Sequence, residues 1–214
     1  MVHIFKESVA GYRGQPIQFQ LLSHGEQGSS IAVMLPGKGY TVQGPLFHYS
    51  TGIFLNKGFD VLHVNYNYTV PQAGSNSIEE EIMQISSDVN SVFDYLANNH
   101  SYDNFTLIGK SLGTIALSAI ADRLELSKAK IVWLTPLLQL DAVYEKMLTA
   151  SQRGLCIIGD RDPYFISERF DRVAISENMQ TLLIPNSNHS LDNPDHPIES
   201  IDILKKIINE ISNL

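Results

Sequence analysis

Gly109-Lys110-Ser111-Leu112-Gly113 puts a serine hydroxyl between two glycines, directly after the apolar run Phe105-Thr106-Leu107-Ile108. The same letters admit two chemistries. Gly109-Lys110-Ser111 could close a phosphate-binding loop, and the full pentad could be the sharp G-x-S-x-G turn that carries a serine nucleophile. A phosphate loop needs its first glycine at position 104 and a flexible wrap behind it; position 104 is Asn104, and the wrap would fall on 105–108, residues with strand character. The nucleophile turn needs a strand, a tight bend and then a helix, the order that FTLI, GKSLG and TIALSAIADRL provide. Glycines at minus two and plus two suit a place where strand and helix pass too closely for a side chain.

That pentad alone is a weak signal, since Gly and Ser are common enough for it to arise by chance in roughly one chain of this length in fifteen. It therefore needs partners. A serine hydroxyl attacks only when a base takes its proton, and the base needs an acid to fix its tautomer. After the apolar run LCIIG comes Asp160-Arg161-Asp162-Pro163, and after QTLLI comes the polar loop PNSNHSLDN with His189. The order Ser111, Asp162, His189, spaced by 51 and 27 residues, leaves room for one or two strand-helix units in each gap.

Each candidate has rivals. Asp160 competes with Asp162, and Asp141 is a more distant alternative. Either aspartate of the turn could instead cap a helix beginning near Tyr164. Among the other histidines, His63 lies in a strand pattern, His100 closes a helix, and His196 shares a loop with Asp192 and Asp195 that lacks zinc or EF-hand spacing. Lys110 could steer an anionic substrate, although a lysine beside a turn reads first as a surface residue. Tyr66 and Tyr68, in VNYNY, are candidates for a substrate-pocket mouth or for simple packing.

These residues must be positioned by a regular scaffold, and the chain alternates in the required way. Strands are expected at 17–22, 31–35, 60–66, 105–108, 131–134, 155–158 and 180–184. Helical spacing occupies about 45–57, 78–99, 111–125, 137–150, 164–173 and 198–213. In the second helix Ile78, Ile82, Ile85, Val89, Val92, Phe93 and Leu96 form the buried face, with Glu79, Glu80, Glu81, Asp88 and Asp94 on the solvated one. The expectation is an α/β fold: a doubly wound, mainly parallel sheet with an antiparallel N-terminal edge, whose ligands meet the carboxyl ends of the strands.

Bulk composition narrows the function. The 214 residues, expected to form a single domain over 1–214, are 43% hydrophobic and 18% charged with a net charge of -8, which disfavours nucleic acid as a partner. Lys6 and Glu7 interrupt any secretory signal, no apolar run approaches the roughly 20 residues of a membrane span, and the one cysteine, Cys156, reads as a buried thiol. A cytoplasmic protein without membrane association is the expectation.

With GKSLG, GDRDP and SNHSL in that order, the chain from about residue 17 to its end resembles the α/β-hydrolase superfamily. The resemblance implies Ser111 as nucleophile, His189 as base and Asp162, three residues after Gly159, as acid. It further implies an oxyanion hole from the backbone N–H groups of Leu112 and Lys38. In LPGKGYTVQGP, Pro36 stands where the family often has His, while Gly37 is retained beside the expected substrate site. No cofactor or metal is implied. Only about 20 residues link IVWL to LCII, the place where the family inserts a cap, so the cap should be minimal and the site open. The expected reaction is hydrolysis of small, accessible carboxylic esters or thioesters. A peptidase or amidase would use the same residues, and a hydrolase-like binding protein would keep them unused.

Overall fold

The computed structural model describes residues 1–25, 28–65 and 77–214. Eight strands form one sheet: β1 (His3–Ala10), β2 (Pro16–Ser23), β3 (Ser30–Leu35), β4 (Asp60–Asn65), β5 (Asn104–Lys110), β6 (Lys130–Leu134), β7 (Arg153–Gly159) and β8 (Met179–Ile184). Their order is β1-β2-β4-β3-β5-β6-β7-β8. The pairs β1–β2 and β2–β4 are antiparallel, and every pair from β4 to β8 is parallel. From β3 the chain winds outward to β4 and then crosses back to β5. The carboxyl ends of β3 and β5 therefore flank the point where winding reverses, the crevice in which such sheets hold ligands.

Among the described residues six α-helices cover the two faces: α1 (Pro45–Asn56), α2 (Ile78–Asn99), α3 (Gly113–Ile120), α4 (Asp141–Thr149), α5 (Ser167–Ala174) and α6 (Pro197–Asn213). The period-two geometry of a strand divides β3 between them. Ile31, Val33 and Leu35 pack with residues of α2, α3, α4 and α5, whereas Ala32 and Met34 pack with α1 and α6. A central strand buried on both faces must be apolar at every step, as IAVML is. Trp133 of β6 is fully buried, in register with Gly109 of β5 and Cys156 of β7. Burial raises the Cys156 thiol well above the usual cysteine range.

Several local expectations change. The antiparallel N-terminal edge is a hairpin of β1 and β2, and β1 lies outside the expected strands; its HIFKESVA is almost wholly exposed and carries little periodic signal. Ile78 is exposed rather than buried. Asp88 is buried rather than solvated, because its carboxylate accepts the Tyr12 N–H at 2.7 Å in the turn between β1 and β2. α2 is capped by Ser77, whose hydroxyl accepts the Glu80 N–H, with Glu79, Glu80 and Glu81 in the first turn where the helix dipole favours negative charge. α3 is shorter than the expected 111–125, and α5 begins at Ser167 instead of near Tyr164.

His63 of β4 is a buried core residue hydrogen-bonded to Thr51 of α1 at 2.7 Å. Burial pulls its pKa down to about 4. The unfolded chain takes up this proton near the ordinary value of 6.5, so between pH 6.5 and 4 the unfolded state binds more protons. The associated stability is fully present above pH 6.5 and is lost as pH falls through 4. At 1.36 kcal/mol per pKa unit the contribution is ~3 kcal/mol. Urea denaturation across this range should show a shallower acid decline for His63→Gln than for the wild type; parallel curves would refute it.

Candidate active site

Ser111 stands at the bend between β5 and α3 with φ of 54°, a left-handed conformation that a non-glycine residue adopts only when its surroundings enforce it. The enforcement comes from both sides. The Ser111 N–H donates to the Leu134 carbonyl at the end of β6, and the Ser111 carbonyl accepts from Thr114 N–H and Thr114 Oγ1. A side chain at Gly109 would strike the Gly113 carbonyl and Leu117, and one at Gly113 would overlap the Leu35 carbonyl. Gly37 also lies close, on the other side, where a Cβ would come within 2.9 Å of the Ser111 Cβ. The end of β3 is thus pressed against the bend.

His189 and Asp162 converge on this serine. His189 Nε2 is 2.9 Å from Ser111 Oγ, and Nδ1 is 2.8 Å from Asp162 Oδ2. A carboxylate only accepts, so Nδ1 carries the proton and Nε2 is left to accept from the serine hydroxyl. Asp162 is buried while the His189 side chain is 30% exposed, and the second carboxylate oxygen, Oδ1, accepts the Tyr164 N–H at 2.9 Å. One aspartate therefore both orients the imidazole and closes its own turn, two roles that the sequence left open between Asp160 and Asp162. Asp160 is exposed, and Asp141 pairs with Arg169 at the start of α4. The Tyr164 ring packs edge-on to His189 with centroids 4.9 Å apart, a contact the sequence did not single out.

The histidine loop is fixed from several directions. Asn186 and Leu191 both have positive φ, at 55° and 65°, and Asn188 Oδ1 accepts the N–H groups of Ser190 and Asp192. Arg161, next to the acid, donates to Asp195 Oδ2 at 2.6 Å and Asn186 Oδ1 at 2.8 Å. The acid turn and the histidine loop are laced together on their outer side.

Lys110 is not a surface lysine. It is 1% exposed, because the strand turns Ser111 outward and sends the preceding side chain into the layer beneath. Its ammonium donates to Thr135 Oγ1 at 3.0 Å and to the His189 carbonyl at 2.6 Å, and lies 4.8 Å from the centre of the Tyr40 ring. Burial pulls its pKa down to about 8, against the opposing pull of the Asp162 and Asp192 carboxylates. Burial also pushes Tyr40 up to about 12; its hydroxyl accepts the Leu46 N–H at the start of α1.

The remaining expected residues are placed unevenly. Neither the Lys38 nor the Leu112 backbone N–H donates to another described residue, and the Lys38 side chain points outward to Glu81 at 3.6 Å. Tyr66 and Tyr68 fall outside the described residues. The link from β6 to β7 holds one helix, α4, whose Val143, Tyr144 and Met147 are buried in the core, so this helix belongs to the layer flanking the sheet. A cavity of about 240 Å³ opens elsewhere, between β1, β2 and the last turns of α2, with Phe5, Phe19, Leu62 and Tyr95 among its walls. It lies toward the start of β4, away from Ser111, so here the position of the polar cluster and not cavity size marks the candidate site.

Fold and site together define an α/β-hydrolase architecture, and the family comparison agrees: the model described as an alpha/beta hydrolase domain matches residues 30–213. The chain belongs to the α/β-hydrolase family. No curated protein sequence matches it. Among solved structures it is similar to a protein of unknown function from Agrobacterium tumefaciens, with 17% identity, a TM-score of 0.72 and coverage of 98% of this chain and 94% of that one. It is similar to an esterase from Pyrococcus furiosus, with 13% identity, a TM-score of 0.70 and coverage of 97% and 92%. A Xanthomonas campestris protein described as an α/β serine hydrolase without a lid has 16% identity, a TM-score of 0.68 and coverage of 97% and 94%. Among the described residues no helix is long and apolar enough to cross a membrane.

The tightness of the bend is testable through its glycines. Gly113→Ala should cost at least about 1–3 kcal/mol, because the new methyl meets main chain that cannot move without displacing β3. Gly52→Ala, in open space within α1, should instead gain up to about 1 kcal/mol. Urea unfolding of the two variants beside the wild type checks both, and equal effects would refute the steric account.

Proposed function

We propose that the protein is a serine hydrolase that cleaves carboxylic esters or thioesters of small, accessible substrates through an acyl-enzyme. The observation that carries this reading is the unbroken chain of hydrogen bonds Ser111–His189–Asp162, at 2.9 and 2.8 Å, with its acid buried and its serine at a strained bend. Ser111 Oγ attacks the substrate carbonyl carbon as its proton passes to His189 Nε2, and Asp162 stabilises the imidazolium. The amides of Leu112 and Lys38 receive the oxyanion. The tetrahedral intermediate collapses, the alcohol or thiol leaves with the proton from His189, and Ser111 retains the acyl group. A water then gives its proton to His189 and attacks the acyl carbon, releasing the acid and restoring the serine.

Substrate size follows from the architecture around the site. The α4 link is engaged with the core, and the Tyr164 ring flanks the base without burying it. Short to medium acyl groups suit this arrangement better than long lipid chains, which need an apolar enclosure.

Labelling with a fluorophosphonate probe, followed by turnover of a p-nitrophenyl ester series, tests the reading. Wild type should label, Ser111→Ala should not, and Asp162→Asn should lower kcat by about 10⁴-fold by losing the correct tautomer. Asp160→Asn should stay within about twofold of wild type, since its side chain is exposed and outside the chain of bonds. Folded wild type that neither labels nor turns over any ester would overturn the assignment in favour of a binding role, and a strong preference for long-chain esters would overturn the size argument.

A further inference from the structure

We propose that Lys110 is a positioning residue: its buried ammonium, seated between Thr135 and Tyr40, holds the main chain of the histidine loop so that the imidazole of His189 stays within reach of Ser111. This inference rests on the serine-hydrolase reading for its kinetic consequence, but its structural content stands on the geometry alone.

An ammonium carries three donors, and each here has a place: the Thr135 hydroxyl, the His189 carbonyl and the face of the Tyr40 ring. Thr135 supplies its oxygen from a left-handed conformation, φ 44°, that a β-branched residue rarely adopts. It is itself fully buried and tied by its N–H to the Ile157 carbonyl at 2.7 Å. Lys110 therefore joins three strand ends: its own β5, the end of β6 through Thr135, and the loop after β8 through His189. The bond goes to the backbone of the base itself. Asn188 restrains this loop from within, Asp162 and Tyr164 restrain the imidazole, and Arg161 binds the loop from the outer side, so Lys110 adds a bond to the main chain of His189 itself.

Burial alone gives no reason for a cation at this position. Burial depresses the lysine's proton affinity, so the folded state pays for the charge below pH 8 and the penalty shrinks as pH rises toward 10.5. An unbranched apolar side chain of similar length would fill the space without that penalty, at the cost of leaving the Thr135 hydroxyl and the His189 carbonyl without this donor. Among the described residues, the charged groups that act on the ammonium are Asp162 from the acid turn and Asp192 from the histidine loop, and the Tyr40 phenol and His189, through its carbonyl, also adjoin it. Burial pushes Tyr40 up to about 12, so its phenol does not account for a change near pH 8, and burial raises Asp192 from the ordinary carboxylate value.

The test compares wild type, Lys110→Met and Thr135→Val by thermal unfolding, by the rate of fluorophosphonate labelling from pH 6 to 10, and by hydrogen exchange over residues 186–192. Lys110→Met should remain cooperatively folded at pH 7, yet label about 10- to 100-fold more slowly and exchange faster in the loop. Wild-type labelling should fall above about pH 8 as the ammonium loses its charge, and the Met variant should lack that limb. Thr135→Val removes one acceptor, which weakens the ammonium's hold on its proton, so the limb should move to lower pH. Wild-type labelling and exchange in Lys110→Met, or a high-pH limb unchanged in both variants, would overturn the proposal. If wild type does not label, the hydrolase reading fails by itself, and loop exchange alone decides Lys110: protection equal to wild type in the Met variant refutes it. If the Met variant does not fold, Thr135→Val decides by the same limb and the same loop.

Discussion

The contact between Gly113 and the Leu35 carbonyl is the constraint around which the molecule is arranged. It brings the first turn of α3 against the end of β3, and with Gly109 it leaves the chain no room for an ordinary bend. Ser111 is forced into a left-handed conformation as a result, and its hydroxyl is carried out of the sheet toward the crevice. The same packing brings Gly37 against the serine, so the segment after β3 cannot drift from the nucleophile candidate. A side chain at any of these glycines would alter several parts of the site at once.

Backbone strain is distributed in keeping with that constraint. Among the described residues, five non-glycine residues have positive φ: Ser111, Thr135 and Asn186 lie just beyond the carboxyl ends of β5, β6 and β8, Leu191 lies further along the loop after β8, and Arg13 is elsewhere. Such conformations persist because surrounding structure over-determines them. Here the sheet supplies the determination: each strand end is hydrogen-bonded to its neighbour, as Ser111 is to Leu134 and Thr135 is to Ile157. A rigid parallel sheet with contorted ends keeps polar groups from distant parts of the chain within bonding distance of each other.

Much of this was legible in the sequence, for identifiable reasons. IAVML, IVWL and LCII are apolar at every position and FTLI at all but Thr106, a pattern that suits strands covered on both faces. The pentad around Ser111, the turn at Asp162 and the loop at His189 follow such strands directly, so their convergence could be read from order alone. What escaped were features set by tertiary partners. Nothing local says that Lys110 points inward, because that depends on which way the bend rotates Ser111. Asp88 has a helical-face spacing that belongs to solvent, and only the Tyr12 amide of a distant turn explains its burial. β1 lacks a pattern because one edge strand, exposed along nearly its whole length, has no core to encode.

Trp133 gives this arrangement an optical signature. It is the chain's one tryptophan, it has no exposed surface, and its indole N–H meets no acceptor among the described residues. Its neighbours across the sheet are Gly109, two residues before the serine, and Cys156, six before the buried acid. An indole without water emits at the blue end of its range, and the emission moves to the red when solvent reaches the ring. The protein thus holds a native chromophore between the strand that leads to Ser111 and the strand that leads to Asp162, and its colour reports whether those two strands are still joined.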